Sequence, residues 1–287
     1  MLPIITIVTP SFNQARYLTE TIESILCQEY PNLEYIVIDG GSTDGSVEII
    51  EKYGPCLSHW VSEKDGGQSD AIMKGFSKST GEIFAWVNSD DVLLPGCLEK
   101  VACAYLAQDK PDLIHTNVCY IDAQSRITRF SRVPRQGRFL FFRGAWHVVA
   151  PTLFYKSSLF KAVGGVDKKY HLCMDLDLWM RMMNAGARVT HLPYYLGGYR
   201  WHDSSKTAIS LAGRQTCENS EASEIYMTML PKSSLTNRRF WRMCYKARQT
   251  INLNYAMSYW DFVTVGRYRR WQDVFRSPSD AKGRDGK

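Results

Sequence analysis

The stretch Ile83-Phe84-Ala85-Trp86-Val87-Asn88-Ser89-Asp90-Asp91 decides the fold. An apolar strand delivers paired carboxylates to its carboxyl end, and Pro95-Gly96 soon follows. In an open α/β sheet the crevice beyond the strand ends is where ligands bind. Side chains alternate along a strand, so Asn88 and Asp90 are expected to face one side and Asp91 the other. Two adjacent carboxylates repel each other unless a cation or hydrogen-bond donors offset them. Mg²⁺ takes one or two carboxylates together with substrate phosphates, which suits this pattern. The same residues also suit a plain polar turn in which Asp91 caps the helix carrying Leu98 and Val101.

Working outward, Ile4 to Thr9 reads as a strand, and Pro10 to Gln14 turn the chain into a helix with Leu18, Ile22, Ile25 and Leu26 on one face. Leu33 to Asp39 is a second buried strand, closed by Gly40-Gly41-Ser42-Thr43-Asp44-Gly45 and followed by a helix with Val47, Ile49 and Ile50. Cys56 to Ser62 is expected as a short strand and Ser69 to Ser79 as a helix. Such β-α-β-α alternation implies an α/β fold with a mainly parallel, doubly wound sheet flanked by helices. Leu113 to Ile121 reads as a further strand, and Arg126 to Arg143 as a long loop or inserted arm. There is no internal repeat and no low-complexity linker.

A chain of 287 residues builds one large α/β domain with additions, or two small ones. Its eight cysteines form no C-x-x-C pair, and the N-terminus enters a strand almost at once, leaving no room for a secretory leader. The expectation is reduced thiols in a cytosolic protein. No apolar run is long enough to span a bilayer. The net charge of +6 is uneven: from Lys232 onward thirteen Lys/Arg face four Asp/Glu, leaving the preceding part slightly acidic. Phe240, Trp241, Tyr245, Tyr255, Tyr259, Trp260, Phe262, Tyr268, Trp271 and Phe275 are interleaved with those basic residues. The pattern suits helices packed on the domain with a solvated basic face, or contact with an anionic membrane surface. Nucleic acid would also suit such a tail but is not the expected partner. The polar residues from Ser277 to Lys287 are expected to fray.

Other candidate positions share the rim of Asp90. Thr9-Pro10-Ser11 and Asp39 to Ser42 end adjacent strands. Asp39 can accept a hydrogen bond from a nucleobase N–H, or it and Ser42 can simply organise a glycine turn. His171 to Trp179 opens a helix through Met182 and Met183. At its mouth Asp175 is either an ordinary cap or a carboxylate facing the crevice; a helix N-terminus favours the ionised form that a general base needs. Asp177 is expected to point elsewhere. Tyr199 to Lys206 places Arg200, His202 and Lys206 in one loop after a strand, suited to closing over a diphosphate and completing a metal shell, or to a structural turn. Neither a dinucleotide glycine fingerprint nor a P-loop lysine is present, which weakens dehydrogenase and NTPase readings.

Thr9-Pro10-Ser11-Phe12-Asn13, Asp39 to Gly45, Gly81-Glu82-Ile83, Asn88-Ser89-Asp90-Asp91 and Met174-Asp175-Leu176-Asp177-Leu178-Trp179 occur in the order and spacing of glycosyltransferase family 2. Asp65 to Ala71 and the Arg200/His202/Lys206 loop also resemble bacterial members. The resemblance covers roughly residues 4 to 206. It implies a GT-A fold and inverting transfer from a nucleotide sugar, UDP-sugar favoured, generally with Mn²⁺ or Mg²⁺. By that resemblance Asp175 is the catalytic base, and Asp90 with His202 holds the metal. Thr9, Pro10, Ser11, Asp39, Gly67, Ser69, Asp70, Asn88, Ser89, Asp91, Arg200 and Lys206 hold the donor. Two positions depart from the family pattern: Asn88 replaces an Asp, and Ile72-Met73 stands where many relatives carry Arg-Asn.

The expected division is a donor-binding half over 1–110, an acceptor and catalytic-base half over 111–206, and a helical basic extension over 207–287. The expected acceptor is a glycan or lipid-linked glycan in surface polysaccharide synthesis, at the cytoplasmic side of the cell membrane. A catalytically silent sugar-binding module and a sugar nucleotidyltransferase are the competing classes. The sequence carries no signal for oligomeric state.

Overall fold

The structure is a computed structural model that describes residues 1–107, 109–133, 149–206, 208–209, 216–229 and 254–275. Its N-terminal half follows the alternation read from the sequence. β1 (Ile5–Ser11) is buried at every position, as a central parallel strand must be when helices cover both faces. α1 (Ala15–Leu26) turns Tyr17, Leu18, Ile22 and Ile25 inward. β2 (Leu33–Asp39), α2 (Ser46–Tyr53), β3 (His59–Ser62), α3 (Gln68–Ser77) and β4 (Ile83–Trp86) complete the unit. β1 runs two residues beyond the expected strand, and the part of Cys56–Ser62 before His59 is not strand. β2 and β4 both flank β1 in parallel, so Ser11, Asp39 and Asn88 emerge on one rim. α3 crosses β1 closely: a Cβ on Gly75 would lie 2.5 Å from Val8 Cγ1, which only glycine avoids.

Beyond β4 the sheet changes character. The strand order is β3-β2-β1-β4, then β8 (Leu153–Lys156), β6 (Leu113–Ile121), β9 (Val189–Arg200) and β5 (Val92–Leu93), with β7 (Ile127–Ser131) paired to β6. β5 (Val92–Leu93) leads into α4 (Cys97–Ala107), and β6 (Leu113–Ile121) has the span expected for it. β7 (Ile127–Ser131) is a strand antiparallel to β6, so the arginine-rich stretch begins as a hairpin arm. Its continuation over 134–143 lies outside the described residues. β8 (Leu153–Lys156) runs antiparallel to both β4 and β6, and α5 (Ser157–Ala162) follows it. α6 (Met174–Asn184) and β9 (Val189–Arg200) end this part, β9 being parallel to β6 and antiparallel to β5. The sheet is therefore mixed rather than mainly parallel, and it is continuous across residue 110.

One apolar cluster lies under α3 and α6 and includes Val8, Phe76, Phe84, Trp179 and Met183; a second, under α1 and α4, includes Ile7, Ile22, Val37, Leu98 and Ile114. Of the C-terminal part, α7 (Thr216–Met229) packs on α6, with Ile225 fully buried. α8 (Asn254–Asp261), a π-helical turn over Phe262–Gly266 and α9 (Trp271–Val274) pack on the β6–β7 hairpin and its surroundings. Phe240, Trp241, Tyr245 and the tail from Ser277 lie outside the described residues. Cys56, Cys97, Cys103 and Cys119 are free thiols. Among the described residues no helix is long and apolar enough to cross a membrane.

Candidate active site

The rim is built from turns that treat their acids differently. Asp39 is fully buried, and its carboxylate accepts from Gly41 N, Ser42 N, Ser62 Oγ and Ser42 Oγ at 3.1, 2.8, 2.7 and 2.6 Å. Three of these donors reach Oδ2 and one reaches Oδ1, so Asp39 organises the glycine turn and retains an acceptor position on Oδ1. Thr9 Oγ1 lies 3.1 Å from the Tyr35 hydroxyl, within the fold. Pro10 is buried opposite Ile38. Ser11 differs: its hydroxyl is buried yet has no partner.

After β4 the chain leaves strand geometry at once, and Asp91 N donates back to Asn88 O at 3.0 Å. The alternation expected for residues 88–91 therefore fails. Asn88 and Asp91 converge, Asn88 Nδ2 donating to Asp91 Oδ2 at 3.0 Å, while Asp90 projects separately. Asp91 is buried, far from capping α4, and its second oxygen accepts the Arg200 backbone N–H at 2.9 Å. Burial, then the charge of Asp90, pushes its pKa well above the usual carboxylate range. Thr21 Oγ1 ties the carbonyls of Ser89 and Asp91 to α1.

Asp90 is half-buried, and its Oδ2 lies 3.0 Å from His202 Nε2. The buried His202 ring also contacts Ser204 Oγ through Nδ1 at 2.9 Å and packs 4.6 Å from the Tyr17 ring. Tyr17's own hydroxyl is a second buried group without a partner. A carboxylate and an imidazole in contact form a donor pair suited to a divalent ion such as Mn²⁺. Among the described residues no third His, Cys, Asp or Glu joins them. Phosphate oxygens and water would have to complete such a shell, as is usual where a metal ion accompanies a nucleotide.

Arg200 departs most from its expected role. Its side chain is fully buried, donating to Asp90 O at 2.6 Å, Asp122 O at 3.1 Å, Ser125 Oγ at 2.8 Å and Glu20 Oε2 at 2.7 Å. The guanidinium is thus a strut beneath the Asp90 turn, and a diphosphate cannot reach it. Glu20 continues the strut by accepting from Trp271 Nε1 at 2.6 Å. Neither Glu20 nor Tyr17 carried a sequence signal, because their roles arise from contacts made far along the chain.

Two helix mouths join the site. Gly67, at φ +98°, precedes α3, and its N–H donates to Asp65 Oδ1 at 2.7 Å. Gln68 Nε2 donates to Asn88 Oδ1 at 2.7 Å and Gln68 Oε1 accepts from Lys206 Nζ at 2.8 Å. The side chain of Ser69 points the other way, toward Met174 Sδ at 3.1 Å and Tyr170 O at 3.4 Å. Consecutive residues of α3 therefore link the Asn88–Asp91 turn to the start of α6, where Asp175 sits half-exposed with Oδ1 accepting Leu176 N at 2.8 Å. Ser69 and Asp70 lie apart from the rim's open groups: Asp70 is held by Gly66 N, Lys168 and Lys74, which lower its pKa, the Lys168 bond most. Asp177 is buried and paired with Arg181 at 2.5 Å, away from the mouth, as expected.

Lys206 faces both halves of the site. Desolvation holds its pKa below the usual lysine value, against the pull of the Glu221, Asp65 and Asp90 carboxylates around it. Glu221, from α7, is a residue that sequence reasoning missed. It accepts the backbone N–H groups of His171, Leu172 and Cys173 at 3.1, 2.9 and 2.9 Å and so fixes the chain just before Asp175. Burial raises its pKa, but these donors outweigh that and leave it lowered.

A parallel β-α-β unit continued into a mixed sheet, with acids and a histidine beyond the strand ends and a second acid in the first turn of α6, is a GT-A type architecture. Residues 6–164 match the sequence model of Glycosyl transferase family 2, and the chain belongs to that family. An uncharacterized glycosyltransferase of Rickettsia typhi is 28% identical over 194 residues, 64% of this chain and 60% of the relative. The chain thus spans about three-fifths of that relative's length. A PGL/p-HBAD biosynthesis glycosyltransferase of Mycobacterium tuberculosis is 28% identical over 192 residues, 66% of this chain and 73% of the relative. Among solved structures, S. aureus TarS 1–349 in complex with UDP-GlcNAc superposes with a TM-score of 0.57 at 20% identity, covering 70% of this chain and 59% of that one. The mannosyltransferase PcManGT from Pyrobaculum calidifontis, in complex with GDP-Man and Mn²⁺, gives 0.59 at 16% identity, covering 96% and 84%. Both show the same fold.

Proposed function

We propose that this glycosyltransferase moves a sugar from a nucleotide-sugar donor, UDP-sugar favoured, to a hydroxyl of a glycan or lipid-linked glycan, with inversion at the anomeric carbon. The single observation that carries the reading is the α3 mouth, where Gln68 contacts the Asn88 turn and Ser69 contacts the start of the Asp175 helix. The unpartnered buried hydroxyls of Ser11 and Tyr17 add to it, since such groups cost stability unless something completes them. UDP-GlcNAc and GDP-Man in the structural neighbours support a nucleotide-sugar donor.

In this reading Asp90 and His202 hold the divalent ion, Mn²⁺ or Mg²⁺. When bound, such an ion offsets the charge that grows on the departing diphosphate. Lys206, steadied by Gln68, adds a positive charge beside it. Asp175 removes the acceptor proton as the oxygen attacks the anomeric carbon and the bond to the diphosphate breaks. Negative charge in the first turn of α6 is favoured by the helix dipole, which suits a base. Arg200 and Asp91 support the rim without touching substrate, and Asp39 organises the turn after β2. The donor half is assigned to 1–110, the acceptor half to 111–206, and the region 207–287 to an appended extension.

The setting proposed is surface polysaccharide or glycolipid assembly at the cytoplasmic side of the membrane, in keeping with the free thiols of Cys56, Cys97, Cys103 and Cys119. A panel of nucleotide sugars, assayed for donor hydrolysis and transfer with Mn²⁺ or with a chelator, tests the reading. Release of a nucleoside diphosphate from one donor, abolished by chelation, is expected. Release of pyrophosphate from an NTP and a sugar phosphate instead would assign a nucleotidyltransferase.

A further inference from the structure

α8 is amphipathic in the reversed sense. The face turned to the protein is polar: Ser258 Oγ accepts Arg132 N at 3.0 Å, and Asp261 accepts from Arg132 Nε at 2.9 Å and from the Tyr195 hydroxyl at 2.7 Å. The face turned to solvent carries Met257, Tyr259 and Trp260, with Val263, Val265 and Tyr268 just beyond; Tyr259 and Trp260 are 70% and 68% exposed. A surface helix ordinarily does the opposite. The polar anchors keep this apolar face outward, because flipping the helix would bury Trp260 only by breaking the Arg132–Asp261 pair. Beside the face stand the exposed Arg267, Arg269 and Arg270, against one exposed carboxylate, Asp273.

We infer that the Met257–Arg270 face is a docking surface for an anionic phospholipid bilayer. Trp and Tyr favour the headgroup boundary, where a ring is part-buried and its polar atom stays wet. The three arginines complement lipid phosphates. A second protein copy would leave these like charges facing one another across a twofold contact, which disfavours that occupant. The surface is also wired to the site: Arg269 O accepts Ile127 N at 2.8 Å, and Trp271 is bonded to Glu20, which holds Arg200 beneath Asp90. The inference deepens the proposed setting by naming the residues that would hold the enzyme to the membrane.

Co-sedimentation of the full chain with phosphatidylcholine vesicles, with and without 30 mol% (roughly, as in common anionic mixtures) phosphatidylglycerol, is the test. Binding is expected to the anionic vesicles and to weaken with salt. Trp260→Ser with Val263→Ser should weaken it about tenfold or more. Arg267→Gln and Arg270→Gln should each cost about fivefold. Circular dichroism should stay native for all four changes, since these side chains are exposed. Asp175→Asn should bind as the wild type does, so loss of transfer and loss of docking are separable. Equal sedimentation of the Trp260/Val263 variant, or no preference for anionic lipid, overturns the inference. So does a stable dimer in light scattering that the same variant dissociates, which would give the face to a second copy.

Discussion

Two turns on one rim, after the strands that flank β1, carry acids, yet they use them in opposite ways. After β2, Asp39 accepts four fixed donors from its own turn and Ser62, three of them on Oδ2. After β4, the paired acids divide: Asp91 is buried on the Arg200 backbone and Asn88, and Asp90 stands toward His202. What separates a scaffolding acid from an available one is therefore how many fixed donors surround it. Residue type is the same in both turns.

The comparison extends to Asp175, in the first turn of α6, and gives the largest predicted effect. Asp175→Asn should lower transfer by ~10²–10⁴-fold while leaving the melting temperature and donor binding near wild type. A drop in stability without loss of turnover would move Asp175 to the scaffolding group. Arg200→Met tests the strut. If the buried guanidinium only supports the Asp90 turn, unfolding in denaturant should show a loss of about 3–5 kcal/mol, because Glu20 loses its charged partner. A raised donor KM with unchanged stability would return Arg200 to the donor. Asp39→Asn should cost about 1–3 kcal/mol, through donors left facing an amide, and should not alter the pH profile of transfer.

Glu221→Ala sharpens the contrast between holding and reacting. It frees three backbone donors ahead of α6, so kcat should fall severalfold with little change in donor KM, and Glu221→Gln should restore part of it. A further effect concerns burial without any bonding network. His115 has neither ring nitrogen partnered, and burial, aided by neighbouring His191, lowers its pKa to about 3. The unfolded imidazole titrates near about 6.5, so between these values the unfolded chain holds the extra proton. Stability from this residue is complete above the unfolded pKa and falls, by at most about 1.4 kcal/mol per pH unit, as pH drops toward the folded one. Denaturant midpoints at several pH values should fall less steeply for His115→Phe.

Much of this was legible in the chain. The apolar runs at 35–38 and 83–87 and the helix faces at 18–25 gave the parallel half, since burial on both sides leaves no room for polar alternation. The motif at 174–179 gave the helix that carries Asp175. The antiparallel strands were harder. β8 is four residues long and β5 two, too short for periodicity to register. The 88–91 expectation failed because the strand stopped at Trp86, and alternation holds only while the backbone stays extended.

The order of amino acids by itself determined the β-α-β core, the family and the candidate acids, because those follow from local hydrophobic pattern and motif spacing. Only the tertiary structure decided which charged groups are struts. Arg200, Glu20, Ser125 and Trp271 meet from four distant parts of the chain, and whether a buried charge faces fixed partners or an opening depends on that meeting. The outward face of α8 was settled in the same way: its aromatics were plain in the sequence, but the ion pair with Arg132 chose their direction.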